Sequence, residues 1–568
     1  MTGPTLEELF ADVSAAALMR HVTEFARWTK FAGSAEEIES LQFVKAELES
    51  YGFSTELILH DAYISLPGAA RVQWDNRTLG CITHSFSRPS APGGTQGELV
   101  DVGAGSEQDF ARHDLRGKIA LIAGLAMPPA ARRASLAGAI GHVHVSPDEH
   151  LHEMCISPVW GSPSDETVDQ LPTAVAVSIS AAAGAALKAA ITAGGVTLTL
   201  HAEVDTAWRR TPILIADMAS PNPGADEPFV LFSGHHDTWY YGVMDNGGAN
   251  ATMLEVARIC ALHRDAWQRG LRLAVWSGHS QGRYSGSAWY ADARWEELER
   301  RCVAHVNIDS TGGRGNTEIA DTTAASELFG LAREALLRHA GQEFAGRRVG
   351  RAGDESFWGI GIPAMFGNMG TQPPEAGPAN RLAFGTGWWW HTRDDTLDKI
   401  DEAILVRDTH IFLHAVWRLL AETILPLDYA AHAETLLGEL AKLPPSAVNV
   451  DLLVERAKTV REKATALTAR AAGAKGAQAA RINTALLAVS RALVPMDYTT
   501  GDRFAPDPAI FQSAWPPLDA LRRLGTLPAG GDAARFTKVA AMRAHNRMAY
   551  ALREAIAALD AEIGRAHV

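Results

Sequence analysis

Histidines and carboxylates recur after the apolar runs in the middle of the sequence, and their types suit metal chemistry. The residues concerned are His235, Asp237, Asp245, His279, Asp309 and His391. Imidazole and carboxylate are the ligands that zinc and similar divalent ions prefer. One such residue alone is typical of a solvated loop, but the repetition indicates a metal site. Asp237, two residues after His235, fits a carboxylate that fixes the imidazole of that histidine.

The apolar runs themselves predict the sheet that would bring these side chains together. PFVLFSG, LRLAVW, CVAHVNID and IPAMFG have the pattern of buried strands, and segments between them, such as GGANATMLEVARICALHR, have the pattern of helices. Strands and helices that alternate at this spacing indicate an α/β fold with a mostly parallel sheet covered by helices. Ligands bind such sheets outside the carboxyl ends of the strands, where these histidines and aspartates are predicted to lie.

The patterning divides the chain into four segments. Residues 1–58 are helical and then strand-like, and residues 59–205 have the Gly and Pro clusters and short strands of a small α/β domain. Residues 206–424 contain the predicted sheet. Residues 425–568 consist of long helical patterns, which predict a helical bundle.

Three segments of the sequence resemble a known family. SGHHDTWYYGVMDNGGA, VNIDST and WHTRDDTLDKID are similar, in order and spacing, to segments of the zinc aminopeptidase-like metallopeptidases, in the branch that contains glutamate carboxypeptidase II and the transferrin receptor. That branch has a protease-associated domain inserted near the N-terminus and a helical dimerisation domain at the C-terminus. The resemblance implies these identities for residues 59–205 and 425–568, and it implies a homodimer that pairs through the C-terminal helices.

The resemblance also implies a role for each candidate ligand. His235 and Asp309 would hold one divalent ion, His391 would belong to a second, and Asp245 would bridge both. The ion would be zinc, with manganese or cobalt as alternatives, in one or two copies. Asp237 would support the metal site from behind.

One segment departs from the family pattern. After LRLAVW the family has two adjacent glutamates, a general base and a metal ligand, whereas this sequence reads WSGHSQG, with His279 and Ser280 at those positions. An alignment on the following Gly-Ser places Ser280 and Gln281 there, so neither register restores a carboxylate. Three interpretations stay open. His279 replaces the missing ligand, or it is the base, since an imidazole titrates near neutrality, or the site is inactive, as in the transferrin receptor.

Aromatic and acidic residues near the metal motifs are candidates for contacting substrate. Trp239 and Tyr241 follow the motif that contains His235, and Trp390 ends the run of tryptophans directly before His391. Aromatic rings are therefore predicted to line the mouth of the site. The segment GDESFW resembles a family loop near the metals. Its acids, Asp354 and Glu355, are candidates for contacting a substrate amine or for replacing the base.

Composition excludes several classes of protein. The chain has 568 residues, 47% of them hydrophobic and 21% charged, which is typical of a soluble globular protein. A net charge of −14 argues against nucleic acid as the partner. No run reaches the roughly 18 apolar residues of a membrane-spanning helix, and the opening MTGPTLEELFADV has acids where a signal peptide would be basic and then apolar. We therefore expect a cytoplasmic protein that does not associate with membranes.

These observations predict a metal-dependent hydrolase of an amide or peptide-like C–N bond, with a peptide or small amide as substrate. Two alternatives stay open on the same fold. One is a non-catalytic receptor-like or scaffold protein, and the other is a hydrolase or deaminase of a compact aromatic molecule.

Overall fold

The computed structural model describes residues 4–373 and 385–563. The described strands are β1 (Ser54–Trp74), β2 (Arg77–Leu79), β3 (Cys81–Thr83), β4 (Thr95–Asp101), β5 (Ile119–Ala123), β6 (Gly141–Val145), β7 (Val175–Ile179), β8 (Thr197–Met218), β9 (Phe229–His235), β10 (Gly270–Trp276), β11 (Cys302–Asp309), β12 (Thr323–Ala324), β13 (Arg347–Arg348) and β14 (Ala364–Asn368). The described helices are α1 (Leu6–Ala11), α2 (Ala15–Phe25), α3 (Ala35–Ser50), α4 (Glu107–Ala111), α5 (Pro128–Leu136), α6 (Ala181–Gly194), α7 (Ala249–Leu262), α8 (Ser285–Ala293), α9 (Trp295–Arg301), α10 (Phe329–Ala340), α11 (Glu402–Ala421), α12 (Tyr429–Ala441), α13 (Asp451–Ala471), α14 (Gly476–Tyr498), α15 (Asp519–Thr526) and α16 (Asp532–Ile563).

Parallel strands form the centre of a mixed sheet. β9 pairs in parallel with β10 and β11, and β11 pairs in parallel with β14. Every residue of β9, β10 and β11 is buried, which explains why their sequences are nearly continuous apolar runs. β8 lies antiparallel between β10 and β4, and β4 to β7 continue in parallel. The predicted α/β class is confirmed, with antiparallel pairing at β8 added.

Helices cover the central sheet on both faces. On one face α7 packs against α2, α3 and α11, and almost every residue of α7 is buried between the sheet and these helices. On the other face α8 and α9 bury Tyr290 and Leu298 against Trp276 of β10. The N-terminal helices α2 and α3 begin at Ser14 and Ser34, whose hydroxyls accept hydrogen bonds from the first turn.

Two long strands join the central sheet to residues 59–205. β1 and β8 pair in antiparallel register from Ser54 opposite Asp217 to Trp74 opposite Leu198. The predicted boundaries at 58/59 and 205/206 therefore lie inside strands. Pro67, in the SLPGAA segment, lies at a bulge where the register shifts, and pairing resumes at Ala70.

The C-terminal region is helical, as predicted. α12, α13, α14 and α16 pack on one another, and α15 packs on α16. In the parts of the chain that the structure describes, no helix is both long enough and apolar enough to cross a bilayer.

Candidate active site

The ends of the central parallel strands bring three of the predicted residues together. His235 is the last residue of β9, Asp309 is the last residue of β11, and His279 follows the end of β10 by three residues. Because these strands are neighbours and run in parallel, their carboxyl ends share one edge of the sheet. One possible ligand atom from each of the three side chains lies within 4.8 Å of the others.

Two loops bring the remaining candidate ligands to the same place. Asp245 lies in the turn between β9 and α7, where its backbone has non-helical dihedral angles, and His391 lies before α11. Asp245 Oδ1 is 3.0 Å from Nε2 of His235, and its Oδ2 is 3.0 Å from Nε2 of His391. A carboxylate whose two oxygens face two imidazoles is arranged to bridge two ions.

The donor atoms of this group fit a divalent ion. Nε2 of His235 is buried and makes no hydrogen bond of acceptable geometry, although Asp245 Oδ1 and Asp309 Oδ1 lie within 3.5 Å of it. Buried polar atoms in proteins nearly always have a partner. Two carboxylates and two or three imidazoles are a donor set that zinc accepts.

The protein groups alone shift the pKa values of two residues in opposite directions. Burial disfavours the charged form of both. It is outweighed at His235, where Asp309 and Asp245 raise the imidazole pKa well above its ordinary value. It is also outweighed at Asp245, where His235 and His391 lower the pKa of the carboxyl. The site therefore stabilises positive charge at the position that a cation would take.

Asp237 supports the site in a different way from the prediction. Nδ1 of His235 donates to the backbone carbonyl of Asp237 at 2.8 Å, so it is not the carboxylate that fixes this imidazole. The carboxylate instead accepts the backbone N–H groups of His279, at 3.1 Å, and Ser280, at 2.8 Å. Asp237 thereby fixes the turn after β10.

Asp395 holds the loop of the bridging aspartate, a role that sequence reasoning did not find. Its two carboxylate oxygens accept the backbone N–H groups of Met244, at 2.8 Å, and Asp245, at 3.0 Å. Burial raises the pKa of Asp395 to about 7. The only signal in the sequence is its place as the second acid of WHTRDD, because the contact spans 150 residues.

Residues 59–205 contribute directly to the orientation of His391. Nδ1 of His391 donates to the backbone carbonyl of Glu153 at 2.6 Å, and the N–H of Glu153 donates to the carbonyl of His391 at 3.0 Å. Nδ1 of His152 donates to the carbonyl of Trp390 at 2.5 Å. A histidine whose second ring nitrogen is held in this way presents the first in one direction. Sequence reasoning missed Glu153 because a backbone carbonyl leaves no mark on residue type.

Asp354 fixes His279. The imidazole Nδ1 is 2.7 Å from Oδ2 of Asp354, and the ring stacks on that of His235 with centroids 3.8 Å apart. Burial opposes a charge on Asp354, but His279 and Ser287 lower the pKa of its carboxyl below the ordinary value. Nε2 of His279 is left as the ring nitrogen available to an ion or to water.

A cavity of about 450 Å³ opens over the site. Its wall is formed by three parts of the chain, with Met154 and Cys155 from residues 59–205, Asp245, His279, Asp309 and His391 from the central segment, and Ala509, Ile510 and Phe511 from the C-terminal region. Two of the predicted substrate-contacting rings, Trp239 and Trp390, also line it and are buried. The described part of the wall does not include the other two predicted substrate contacts. Tyr241 is 43% exposed, and Asp354 lies behind His279.

Glu355 is a buried acid in this wall. It is 2% exposed, its Oε1 accepts a hydrogen bond from Asn307 at 3.1 Å, and its Oε2 has no partner. Burial and the neighbouring Asp354 raise the pKa of Glu355 well above its ordinary value. Compared with an exposed glutamate, Glu355 therefore holds its proton more tightly, and it remains a candidate acid or base in the wall of the cavity.

Comparison with known proteins agrees with this arrangement. Residues 214–416 match the model of "Peptidase family M28". A maize protein, "Probable glutamate carboxypeptidase VP8" (Zea mays), is 27% identical over 240 residues, which cover 39% of this chain and 33% of the relative. "Aminopeptidase NAALADL1" of Mus musculus is 30% identical over 92 residues, which cover 15% of this chain and 12% of the relative. The chain thus matches less than half the length of these curated relatives.

Solved structures of aminopeptidase-type proteins share the fold. The aminopeptidase from Aneurinibacillus sp. strain AM-1 aligns with a TM-score of 0.56 at 22% identity, over 73% of this chain and 96% of that one. The peptidase M28 precursor from Shewanella amazonensis SB2B aligns with a TM-score of 0.59 at 19% identity, over 74% and 97%. At these identities the likeness establishes the fold.

Proposed function

We propose that this chain, whose residues 214–416 match the model of peptidase family M28, is a metal-dependent hydrolase of peptide bonds. The observation that carries the proposal is the placement of the Asp245 carboxylate, with each oxygen 3.0 Å from the Nε2 atom of a different histidine. A solvated or purely structural aspartate does not require two imidazoles, one buried and one largely buried, that are each fixed from behind. Divalent ions held in this way are the usual means of hydrolysing an unactivated amide.

The chain's own residues have distinct tasks in the proposed reaction. His235, Asp245, Asp309 and His391 would hold the ions, most naturally zinc, which polarise the scissile carbonyl and make water acidic enough to attack. Trp239 and Trp390 line the cavity with buried rings, which would exclude bulk water and contact side chains of the substrate.

We assign His279 to the metal site as a replacement ligand. Its possible ligand atom lies within 4.8 Å of those of His235 and Asp309. His279 therefore lies with His235 and Asp309. We expect His235, Asp309 and His279 to hold one ion and His391 to hold the second, with Asp245 contributing an oxygen to each.

The test is metal content together with activity. The protein purified in zinc-containing medium is expected to contain at least one equivalent of metal by mass spectrometry, to hydrolyse members of a panel of dipeptides and N-acyl amino acids, and to lose activity in a chelator. Zinc, manganese and cobalt are then added back separately. Protein without bound metal, or with hydrolysis unchanged by chelation, would refute the proposal and favour the scaffold interpretation.

We also propose that the chain forms a homodimer through the C-terminal helices. Helix α16 has four large apolar side chains that are at least half exposed: Phe536 (76%), Val539 (50%), Met542 (51%) and Tyr550 (57%). Large apolar side chains that recur on one exposed helix favour a partner surface. A second copy of this chain is the occupant to which the family resemblance points.

A further inference from the structure

A chain of hydrogen bonds runs behind His279, away from the cavity. Asp354 Oδ1 accepts the hydroxyl of Ser287 at 2.7 Å, and the Ser287 hydroxyl lies 2.8 Å from that of Ser356. Nε1 of Trp160, from residues 59–205, donates to the Ser356 hydroxyl at 2.9 Å. These hydrogen bonds therefore link His279, in the loop after β10, to Trp160 in residues 59–205.

The direction of every bond in this chain is fixed by its ends. An indole N–H can only donate, so Ser356 accepts from Trp160 and has its own hydrogen free for Ser287. Ser287 accepts from Ser356 and donates its hydrogen to the nearer of two acceptors, Asp354 Oδ1 at 2.7 Å rather than the backbone carbonyl of Tyr284 at 3.2 Å. The carboxylate at the end can only accept. Nδ1 of His279, 2.7 Å from the other carboxylate oxygen, must therefore be the donor.

We propose that Asp354, supported by Ser287, Ser356 and Trp160, is the positioning residue that holds His279 as the Nδ1–H tautomer with its Nε2 lone pair available to the metal site. A carboxylate at this position would have no tautomers and would need no such support. The hydrogen bond to Asp354 is thus the support that a histidine at this position requires. Asp354 acts through His279, so it is not assigned a contact with substrate.

This inference rests on the proposed function only for its kinetic readout. A neutral imidazole can act as a ligand or as a base only through its unprotonated nitrogen, so the tautomer decides whether His279 can do either. The stacked contact with His235, at 3.8 Å, fixes the ring plane, and Asp354 fixes the rotation within it.

The central experiment is a double-mutant cycle between Asp354→Asn and His279→Gln. Loss of a residue that orients a ligand or base usually costs 10- to 100-fold, so Asp354→Asn is expected to lower kcat or zinc affinity by about that factor with little change in KM. In the His279→Gln background the same substitution is expected to have no further effect. The proposal would be overturned if Asp354→Asn had the same effect in the wild-type and His279→Gln backgrounds, or if the Asp354→Asn single variant behaved like the wild type. Asp408→Asn, another fully buried aspartate, controls for the cost of removing a buried carboxylate.

A second measurement does not depend on activity. In metal-free protein labelled with ¹⁵N-histidine, the signals lost in His279→Gln identify His279, and their shifts are expected to report protonated Nδ1 and unprotonated Nε2. Asp354→Asn is expected to move them towards the other tautomer, and the opposite tautomer in the wild type would overturn the inference. Should Asp354→Asn fail to fold, Ser287→Ala is the substitute variant. It removes one hydrogen bond to Asp354 and is expected to lower kcat or zinc affinity by about fivefold. Wild-type protein without peptidase activity but with the expected shifts would refute the proposed function alone.

Discussion

Replacement of Asp245 by asparagine tests the bridging carboxylate with almost no change in shape. The side chain has one oxygen 3.0 Å from His235 Nε2 and the other 3.0 Å from His391 Nε2. Asparagine offers an oxygen to only one of these positions, and an NH₂ group, which cannot be a ligand, to the other. Asp245→Asn thus removes one ligand oxygen and a full negative charge.

The size of the effect follows from this charge. Two unit charges about 4 Å apart interact by roughly 4 kcal/mol at an effective dielectric constant of about 20. Each 1.4 kcal/mol corresponds to a factor of ten. The zinc dissociation constant is therefore expected to rise by about 1,000-fold at least, since the ion is divalent and also loses a ligand. Activity is expected to fall to background.

The assay is zinc titration calorimetry, with metal content after dialysis as a second readout. Asp394→Asn is the matched control, because Asp394 is an exposed acid three residues from His391. It is expected to leave the dissociation constant within about twofold, as surface substitutions generally have small effects. An Asp245→Asn variant that binds zinc with wild-type affinity and stoichiometry would show that Asp245 is not a ligand, and the proposed metal centre would fall with it.

Three further outcomes are expected. Zinc at about 1,000 times its dissociation constant should raise the free energy of unfolding by about 4 kcal/mol, and chelation should remove this, whereas a chelator-independent urea midpoint would contradict a metal centre. Burial raises the pKa of Glu153 from 4.5 to about 7, so the folded state holds the proton more tightly than the unfolded chain does. As the pH rises from 4.5 to 7, this residue therefore lowers the free energy of unfolding by about 3 kcal/mol. Glu153→Gln keeps an acceptor for Tyr240, so urea titrations should show it to be the more stable protein at pH 8 but not at pH 4, and parallel pH profiles would contradict this. Light scattering should give twice the chain mass of 60.9 kDa, and Phe536→Asp with Met542→Asp should halve it, while a monomeric wild type would exclude the dimer.

Local patterns determined the class of fold and most of the candidate ligands. Buried parallel strands need apolar residues on both faces, so β9, β10 and β11 are visible in the sequence as apolar runs. Because parallel strands end at a common edge, the polar residues that follow them could be predicted to meet. The ligand candidates His235 and Asp309 follow from this rule, and His279 follows from it in position, though not in role.

Only the tertiary structure decided what orients these residues. The carbonyl of Glu153 and the long pairing of β1 with β8 depend on backbone groups, which are the same in every residue type. The contacts of Asp354 with His279 and of Asp395 with the Asp245 loop join residues far apart in the chain. A side chain's type states what it can donate or accept, but its partner is set by the packing of distant elements, which no local pattern encodes.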